Sequence, residues 1–384
     1  MPSPRELAPE ISEFWVRPGY ELTVAVPQHR GARFFEFDDR GTLYVSRPDP
    51  GDITAFFDDN ADGVYDRSVT FVSDRPSLHG LHFHAGWLWF TTTGSIHKAR
   101  DTDHDGKADE VVDVITEGLP SGGGHWWRSI FVTDDGFFTS IGDTGNINDE
   151  RDTDRQKIWR FDLDGKNRKL WSSGIRNTEK LRYRPGSNEL WGVDHGSDWF
   201  GAKFDERPGI QPITNLNPPD EFNLYLEGGF YGHPFITGSR VPRPEFHDRK
   251  DIRDLAEQTV PPEWAFGAHW AANGWCWIDP AVNRAARHPL PADHEGDAFI
   301  ACRASWNSSA MVGYCGLRVL FDGDRPTGGR PRPYGSLVIV KTSDLETTFA
   351  RPVDCVQAPD GSVLWSSDAT GRVYRIRAKA DAKP

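Results

Sequence analysis

Apolar residues along this chain come in short runs that either alternate with polar ones or stay apolar throughout, and Gly, Asn or Asp breaks each run. Runs of that kind predict antiparallel strands, and no long stretch shows the period of an amphipathic helix. One phrase returns along the chain: a polar or charged residue, a strand, a Gly/Asp turn, then a second strand. It reads RFFEFDDRGTLYVS from Arg33, HGLHFHAGWLWFTT from His79 and HWWRSIFVTDDGFFTSIGD from His125. It returns as RNTEKLRYRPGSNELWGVD from Arg176, HWAANGWCWID from His269 and RPVDCVQAPDGSVLWSSD from Arg351.

The early repeats are separated by the roughly 40–50 residues of a propeller blade. The later intervals are longer and absorb insertions near 199–219, 236–262 and 323–334. Six units predict an all-β fold, a six-bladed β-propeller with four-stranded antiparallel blades, as a single domain with blades over about residues 20–378. ELTVAV (21–26) is placed to pair with RVYRIRA (372–378) and close the ring. A seventh blade inside the 176–269 interval is the alternative.

Composition narrows the function. The chain has 384 residues, and 44 Lys+Arg against 57 Asp+Glu leave a net charge of −13, which excludes a general nucleic-acid binder. With 15 Trp and 23 Phe it can build a packed core. No apolar run has the length of a membrane helix, and the first residues show no basic-then-apolar leader. Cys276, Cys302, Cys315 and Cys355 lack metal-ligand spacing and read as inert core thiols, with one disulfide as the alternative.

In a propeller the residues that open each innermost strand lie at one height around a shared axis. Arg33, His79, His125, Arg176, His269 and Arg351 are therefore expected at one mouth of the channel. So many imidazoles and guanidiniums near an axis are costly unless a ligand or metal offsets their desolvation. A separate motif is D-x-[DN]-x-D-G-x-x-D. It occurs as DDNADGVYD (Asp58, Asn60, Asp62, Asp66) and as DTDHDGKAD (Asp101, Asp103, Asp105, Asp109). Oxygen ligands at those positions suit calcium, although Val69 and Val112 stand where an EF-hand has its glutamate. The same residues also build plain inter-strand turns, and both readings stay open.

GGGHWWRSIFVTDDGFFTSIGDTGN (122–146), GIRNTEKLRYRPGSNELWGVDHG (174–196) and DEFNLYLEGGFYGHP (220–234) resemble, in order, the signature of the soluble quinoprotein glucose/sorbosone dehydrogenase family. EGDAFIACRASWN (295–307) and RPVDCVQAPDGS (351–362) extend the likeness. The resemblance implies a six-bladed propeller that binds pyrroloquinoline quinone (PQQ) with calcium and oxidises a sugar, handing the electrons to an acceptor the sequence does not identify. It implies His125 as general base, Arg176 as stabiliser of negative charge and Asp220 as an acidic neighbour of base and substrate. Asn177, Arg128, Arg303 and Arg351 would contact the cofactor, with His79, His269 and Tyr231 around it, and the carbonyls of Gly196 and Ser197 would hold calcium. A periplasmic or secreted location is what the resemblance implies. The chain departs from the pattern at Val353 (an arginine in the glucose dehydrogenases), His233 (a tryptophan) and His195 (glutamine or asparagine).

Two other readings fit the residues. His79, His125, His195 and His269 could ring the channel around zinc or a transition metal, giving a sugar-active lyase, hydrolase or isomerase, and a metal-free histidine site allows the same chemistry. A propeller that only binds its ligand is the third.

Overall fold

The computed structural model describes residues 11–201, 212–327, 335–344 and 346–379. Each recurring phrase supplies the innermost strand of its own antiparallel sheet. Blade 1 is Phe35–Phe37, Leu43–Arg47, Asp52–Phe57 and Arg67–Val72; blade 2 is Leu81–His84, Trp87–Thr92, Ser95–Arg100 and Glu110–Ile115. Blade 3 is Phe131–Thr133, Gly136–Ile141, Lys157–Phe161 and Lys169–Ser173, with Gly229–Phe230 added in parallel at its outer edge. Blade 4 is Thr178–Tyr183, Leu190–Asp194, Pro219–Leu224 and Trp264–Ala268. Blade 5 is Ala272–Trp277, Ala298–Cys302, Cys315–Val319 and Ser336–Lys341, edged by Trp15–Val16. Blade 6 is Pro352–Gln357, Val363–Ser367 and Arg372–Ala378, completed by Tyr20–Val26 from the other end of the chain.

The ring closes as the sequence suggests, with Tyr20 opposite Ala378 and Val24 opposite Tyr374. Innermost strands abut in the cyclic order of blades 1 to 6 and back to 1. The fold is a six-bladed β-propeller. Among the described residues the 176–269 interval holds no seventh blade. It holds blade 4, the hairpin Ile236–Thr237/Val241–Pro242, a short turn of helix at Pro244–Phe246 and the helix Ile252–Gln258. Much of the first insertion (202–211) and of the third (328–334) lies outside the described residues.

Both faces of each blade are buried, which explains why middle strands such as Leu43–Arg47, Gly136–Ile141 and Leu190–Asp194 carry apolar runs rather than strict alternation. The core is distributed accordingly: a cluster of buried apolar side chains fills the space between each pair of neighbouring blades. Trp275 and Trp277 belong to the cluster between blades 4 and 5. All four cysteines are buried free thiols; Cys302 and Cys315 stand opposite each other across blade 5 without forming a disulfide. The helix Pro280–Ala285 is an element that the strand pattern hid. Its signal was local: Asp279 caps it by accepting from the amides of Ala281 (2.7 Å) and Val282 (3.4 Å), and Pro280 opens its first turn.

Charged side chains cross the channel. Lys180, on the inner strand of blade 4, crosses the axis and donates to Asp354 Oδ1 (2.8 Å) and to the carbonyl of Cys355 (2.9 Å) in blade 6. Asp354 also accepts from the amides of Phe35 (3.0 Å) and Cys355 (2.8 Å). Two residues further along, Arg182 pairs with Glu36 (2.5 Å) and donates to the carbonyls of Leu81 (3.2 Å) and Ile130 (3.3 Å). One strand thus staples blade 4 to blades 1, 2, 3 and 6. The approach is close: a Cβ at Gly274 would lie 1.9 Å from Asp354 Oδ1, so any side chain there displaces the pair.

Candidate functional site

Above this ionic plug the channel opens into a pocket of about 260 Å³. Of the six opening residues, Arg33, His125, Arg176 and His269 line it. So do Asn177, Gly196, Asp220 and Arg303 from the other expected site residues. Trp127 and Trp306 supply its aromatic surface, Trp306 with half its area exposed.

His125 is oriented by main chain. Its Nδ1 lies 2.9 Å from the carbonyl oxygen of Asp143, an obligate acceptor, so Nδ1 carries the proton and Nε2 keeps its lone pair. Among the described residues no hydrogen bond ends on Nε2. Burial, reinforced by the Arg176 guanidinium, brings the imidazole down to about 3, and it is neutral at neutral pH. Arg176 is fixed by Asn146, whose carbonyl accepts from Nε (3.0 Å) and whose Oδ1 accepts from Nη2 (2.9 Å), and by Asp198 (3.1 Å).

On the opposite wall one carboxylate serves three guanidiniums. Asp368 meets Arg303 (2.7 Å), Arg351 (3.0 Å) and Arg33 (3.4 Å). Arg351 stands behind this carboxylate rather than in the pocket lining. On this wall three guanidiniums share a single carboxylate in ion pairs, an arrangement that suits further carboxylates from an anionic ligand.

The turn at residues 195–197 is pinned from below. Asp220 accepts from the amides of Gly196 (2.7 Å) and Ala272 (3.1 Å), which engages both of its oxygens and makes it a positioning group; burial lifts it to about 7. A Cβ at Gly196 would lie 2.7 Å from the carbonyl oxygen of Pro219. From the 236–262 insertion, the buried Arg243 donates to Ser197 Oγ (2.6 Å) and to the carbonyl of Trp199 (2.8 Å). Among the described residues nothing donates to the carbonyl oxygens of Gly196 or Ser197. Those two oxygens and the guanidiniums that share Asp368 are the groups that calcium and a polycarboxylate quinone would use, so the residues present fit both.

Other expected residues lie elsewhere. His79 is buried beneath the pocket, between the rings of Phe34 and Trp127. The Arg128 side chain is buried near Arg155 and outside the pocket lining, with Nε and Nη2 unpartnered, while its carbonyl accepts from Thr91 Oγ1 (3.1 Å). Tyr231 packs on Tyr225 and bonds the main chain of Leu224 and Leu226, a structural role. The four-histidine metal ring does not form: His125 faces the Asp143 carbonyl, His195 Nδ1 accepts from Asn177 (3.1 Å) and His269 Nε2 donates to the carbonyl of Thr214 (2.6 Å). Among the described residues, only Asp101, Asp103 and Asp109 bring three metal-type ligand atoms together. In both Asp-rich loops the carboxylates also cap turns: Asp58 accepts from the amides of Asp62 (3.1 Å) and Gly63 (2.8 Å), and Asp101 from those of His104 (2.6 Å) and Gly106 (2.8 Å).

The residues that sequence reasoning missed share a signal. Three phrases end in Asp: SIGD, WGVD and WSSD. Asp143 accepts from Gly145 N (2.6 Å) and His233 Nε2 (2.7 Å); Asp194 accepts from the amides of Arg176 (2.9 Å) and Asn177 (2.6 Å); Asp368 is the hub of the arginines. The main-chain carbonyl of Asp143 and the carboxylates of Asp194 and Asp368 each fix residues that line the pocket.

These buried groups give the fold a pH signature. Burial lifts Asp194 to about 6, Asp220 to about 7 and Glu221 to about 8, so above pH 4 the folded chain holds protons that the unfolded chain has lost. Burial also lowers His125 and His195 to about 3 and His233 to about 4, so below about pH 6.5 the unfolded chain holds the extra protons. The histidines make stability rise with pH up to about 6.5, and beyond that the acids alone act and stability falls through pH 8. The thermal midpoint of the apo protein is expected to peak near pH 6–6.5, and Glu221→Gln to flatten the alkaline limb, as a pH series of thermal melts will read.

Residues 14–379 match the profile of a family described as TrAA12-like. The chain belongs to the TrAA12-like family. Its fold superposes on the iodide structure of Trichoderma reesei carbohydrate-active enzymes family AA12 with a TM-score of 0.80, at 18% identity, covering 95% of this chain and 98% of that one. The holo form of the pyranose dehydrogenase PQQ domain of Coprinopsis cinerea gives 0.79 at 18% identity, covering 98% of each chain. The apo soluble aldose sugar dehydrogenase of Escherichia coli gives 0.62 at 16% identity, covering 94% of this chain and 100% of that one. A 220-residue stretch is 26% identical to an uncharacterized protein of Borreliella burgdorferi, covering 57% of this chain and about half (51%) of that protein. The family membership and the shared fold of this TrAA12-like chain agree with the resemblance seen in the sequence.

Proposed function

We propose that this protein is a PQQ-dependent sugar dehydrogenase with His125 as general base. The observation that carries the reading is the His125 imidazole, held by a main-chain carbonyl with Nε2 bare, across the pocket from three guanidiniums that share one carboxylate. When bound, PQQ supplies a quinone able to accept hydride from a sugar C–H.

His125 Nε2 takes the proton from the sugar hydroxyl whose carbon is oxidised. Arg176, aimed by Asn146 and Asp198, faces negative charge that grows during the reaction, and an anionic ligand beside it offsets the part of the depression of His125 that Arg176 adds to burial. Arg303 and Arg33, with Arg351 behind Asp368, receive ligand carboxylates, and Asn177 offers its amide oxygen. The carbonyls of Gly196 and Ser197 suit calcium, which prefers oxygen ligands. The half-exposed Trp306 provides a flat apolar face of the kind that packs on a sugar ring, while Trp127, stacked on Trp126 at 3.7 Å with the Arg33 guanidinium 4.4 Å from its ring, serves as wall.

The test is a dye-linked assay on a panel of aldoses. The apo protein is expected to reduce the dye only after addition of PQQ and calcium, and only with sugar present. Conversion of a sugar without PQQ or any acceptor would instead favour the non-redox reading of the histidine site.

A further inference from the structure

At the floor of the pocket Glu179 faces His79, which lies just beneath it, and both are buried. His79 Nδ1 lies 3.4 Å from the carbonyl oxygen of Arg128, and its Nε2 lies 3.7 Å from Glu179 Oε2. Neither Nε2 nor Oε2 has a hydrogen-bond partner. The other carboxyl oxygen of Glu179 accepts from Asn177 Nδ2 (2.8 Å), and that same amide nitrogen donates to His195 Nδ1 (3.1 Å). The imidazole of His79 is therefore flanked by two acceptors, a carbonyl and a carboxylate. A neutral ring has one N–H and can satisfy only one of them, so the arrangement is one proton short. Burial makes that shortfall expensive.

We propose that His79 and Glu179 form a proton-holding pair that takes up one proton from solvent when an anionic, carboxylate-bearing ligand enters the pocket. The proposal rests on the polycarboxylate reading of the pocket. The charged surroundings supply the coupling. Arg33 from blade 1 and Arg303 from blade 5 favour the ionised carboxylate, while Asp354 from blade 6 opposes it, itself neutralised by Lys180; His195 beside Asn177 is held neutral by burial. A bound anion would offset Arg33 and Arg303, and the carboxylate then loses the attraction that keeps it ionised. The added proton occupies the gap between Glu179 Oε2 and His79 Nε2 and satisfies both atoms. Burial already raises the Glu179 carboxyl and lowers the His79 imidazole, which places the proton on Glu179. The balance is one solvent proton in and none released by the pair, with no bond to the ligand made or broken.

The test is calorimetric titration of the calcium-supplemented apo protein with PQQ, in buffers of different ionisation enthalpy, from pH 6 to 9. The wild-type protein is expected to take up as much as one proton per PQQ, with affinity falling as pH rises, at most tenfold per unit. In Glu179→Gln the amide donates permanently to His79 Nε2 and still accepts from Asn177. That variant is expected to show this uptake removed, a flatter pH dependence, and tighter binding than wild type at pH 9. PQQ binding to the wild-type protein with no proton taken up overturns the proposal without recourse to any variant, as does an equal uptake in both proteins. Absence of PQQ binding overturns the quinone reading itself and the proposal with it.

Discussion

His125→Gln is expected to lower the turnover of the PQQ- and calcium-loaded protein by about 10²–10⁴-fold, while the affinity for PQQ changes little. The expectation follows from the separation of tasks within the pocket. His125 presents a bare Nε2 and is held only through Nδ1 and its own amide to the Asp143 carbonyl. Groups that suit the ligand's carboxylates sit on the opposite wall, on Asp368. Glutamine can keep the contact to Asp143 but has no proton-accepting nitrogen. Single-turnover rates and equilibrium binding on the same variant check both halves. A binding-only propeller predicts that neither moves.

Lys180→Met is expected to destabilise the fold by about 3–5 kcal/mol, the cost of leaving one partner of a buried ion pair alone. Asp354 is fully buried, and its remaining partners are two main-chain amides. A drop in the denaturant midpoint at constant m-value reads the effect. Adding Asp354→Asn to Lys180→Met should recover part of the loss, because the uncompensated charge is gone. No recovery would mean that the stem of Lys180, rather than its charge, holds the blades together.

The blade repeat was legible because blades bury both faces and meet at turns, which forces the same strand–turn–strand phrase six times. Chain closure was legible for the same reason, since 21–26 has no partner near it in sequence and the last blade is one strand short without it. The openers Arg33, His125, Arg176 and His269 reached the pocket because the propeller axis places equivalent positions together.

Two things were not legible. The register of inner strands slips at their pocket ends, between Thr178 and Leu181, Ala272 and Trp275, and Pro352 and Cys355. Such slips break the alternation from which facing is inferred. Glu179 consequently lines the pocket while its neighbour Lys180 crosses the channel, and neither was singled out. Side-chain direction was the second. Arg128 and Tyr231 lie in the matched phrases, yet one side chain is buried near Arg155 outside the pocket lining and the other bonds the main chain beside it. A phrase fixes where the backbone goes, and a single rotamer decides what a residue touches.

The most direct test of the account is an absorbance titration of the apo protein with PQQ in the presence of calcium, followed by addition of an aldose. Saturation at one PQQ per chain, then bleaching of the quinone band by the sugar, is the predicted result. A spectrum equal to that of free PQQ at every protein concentration would contradict it.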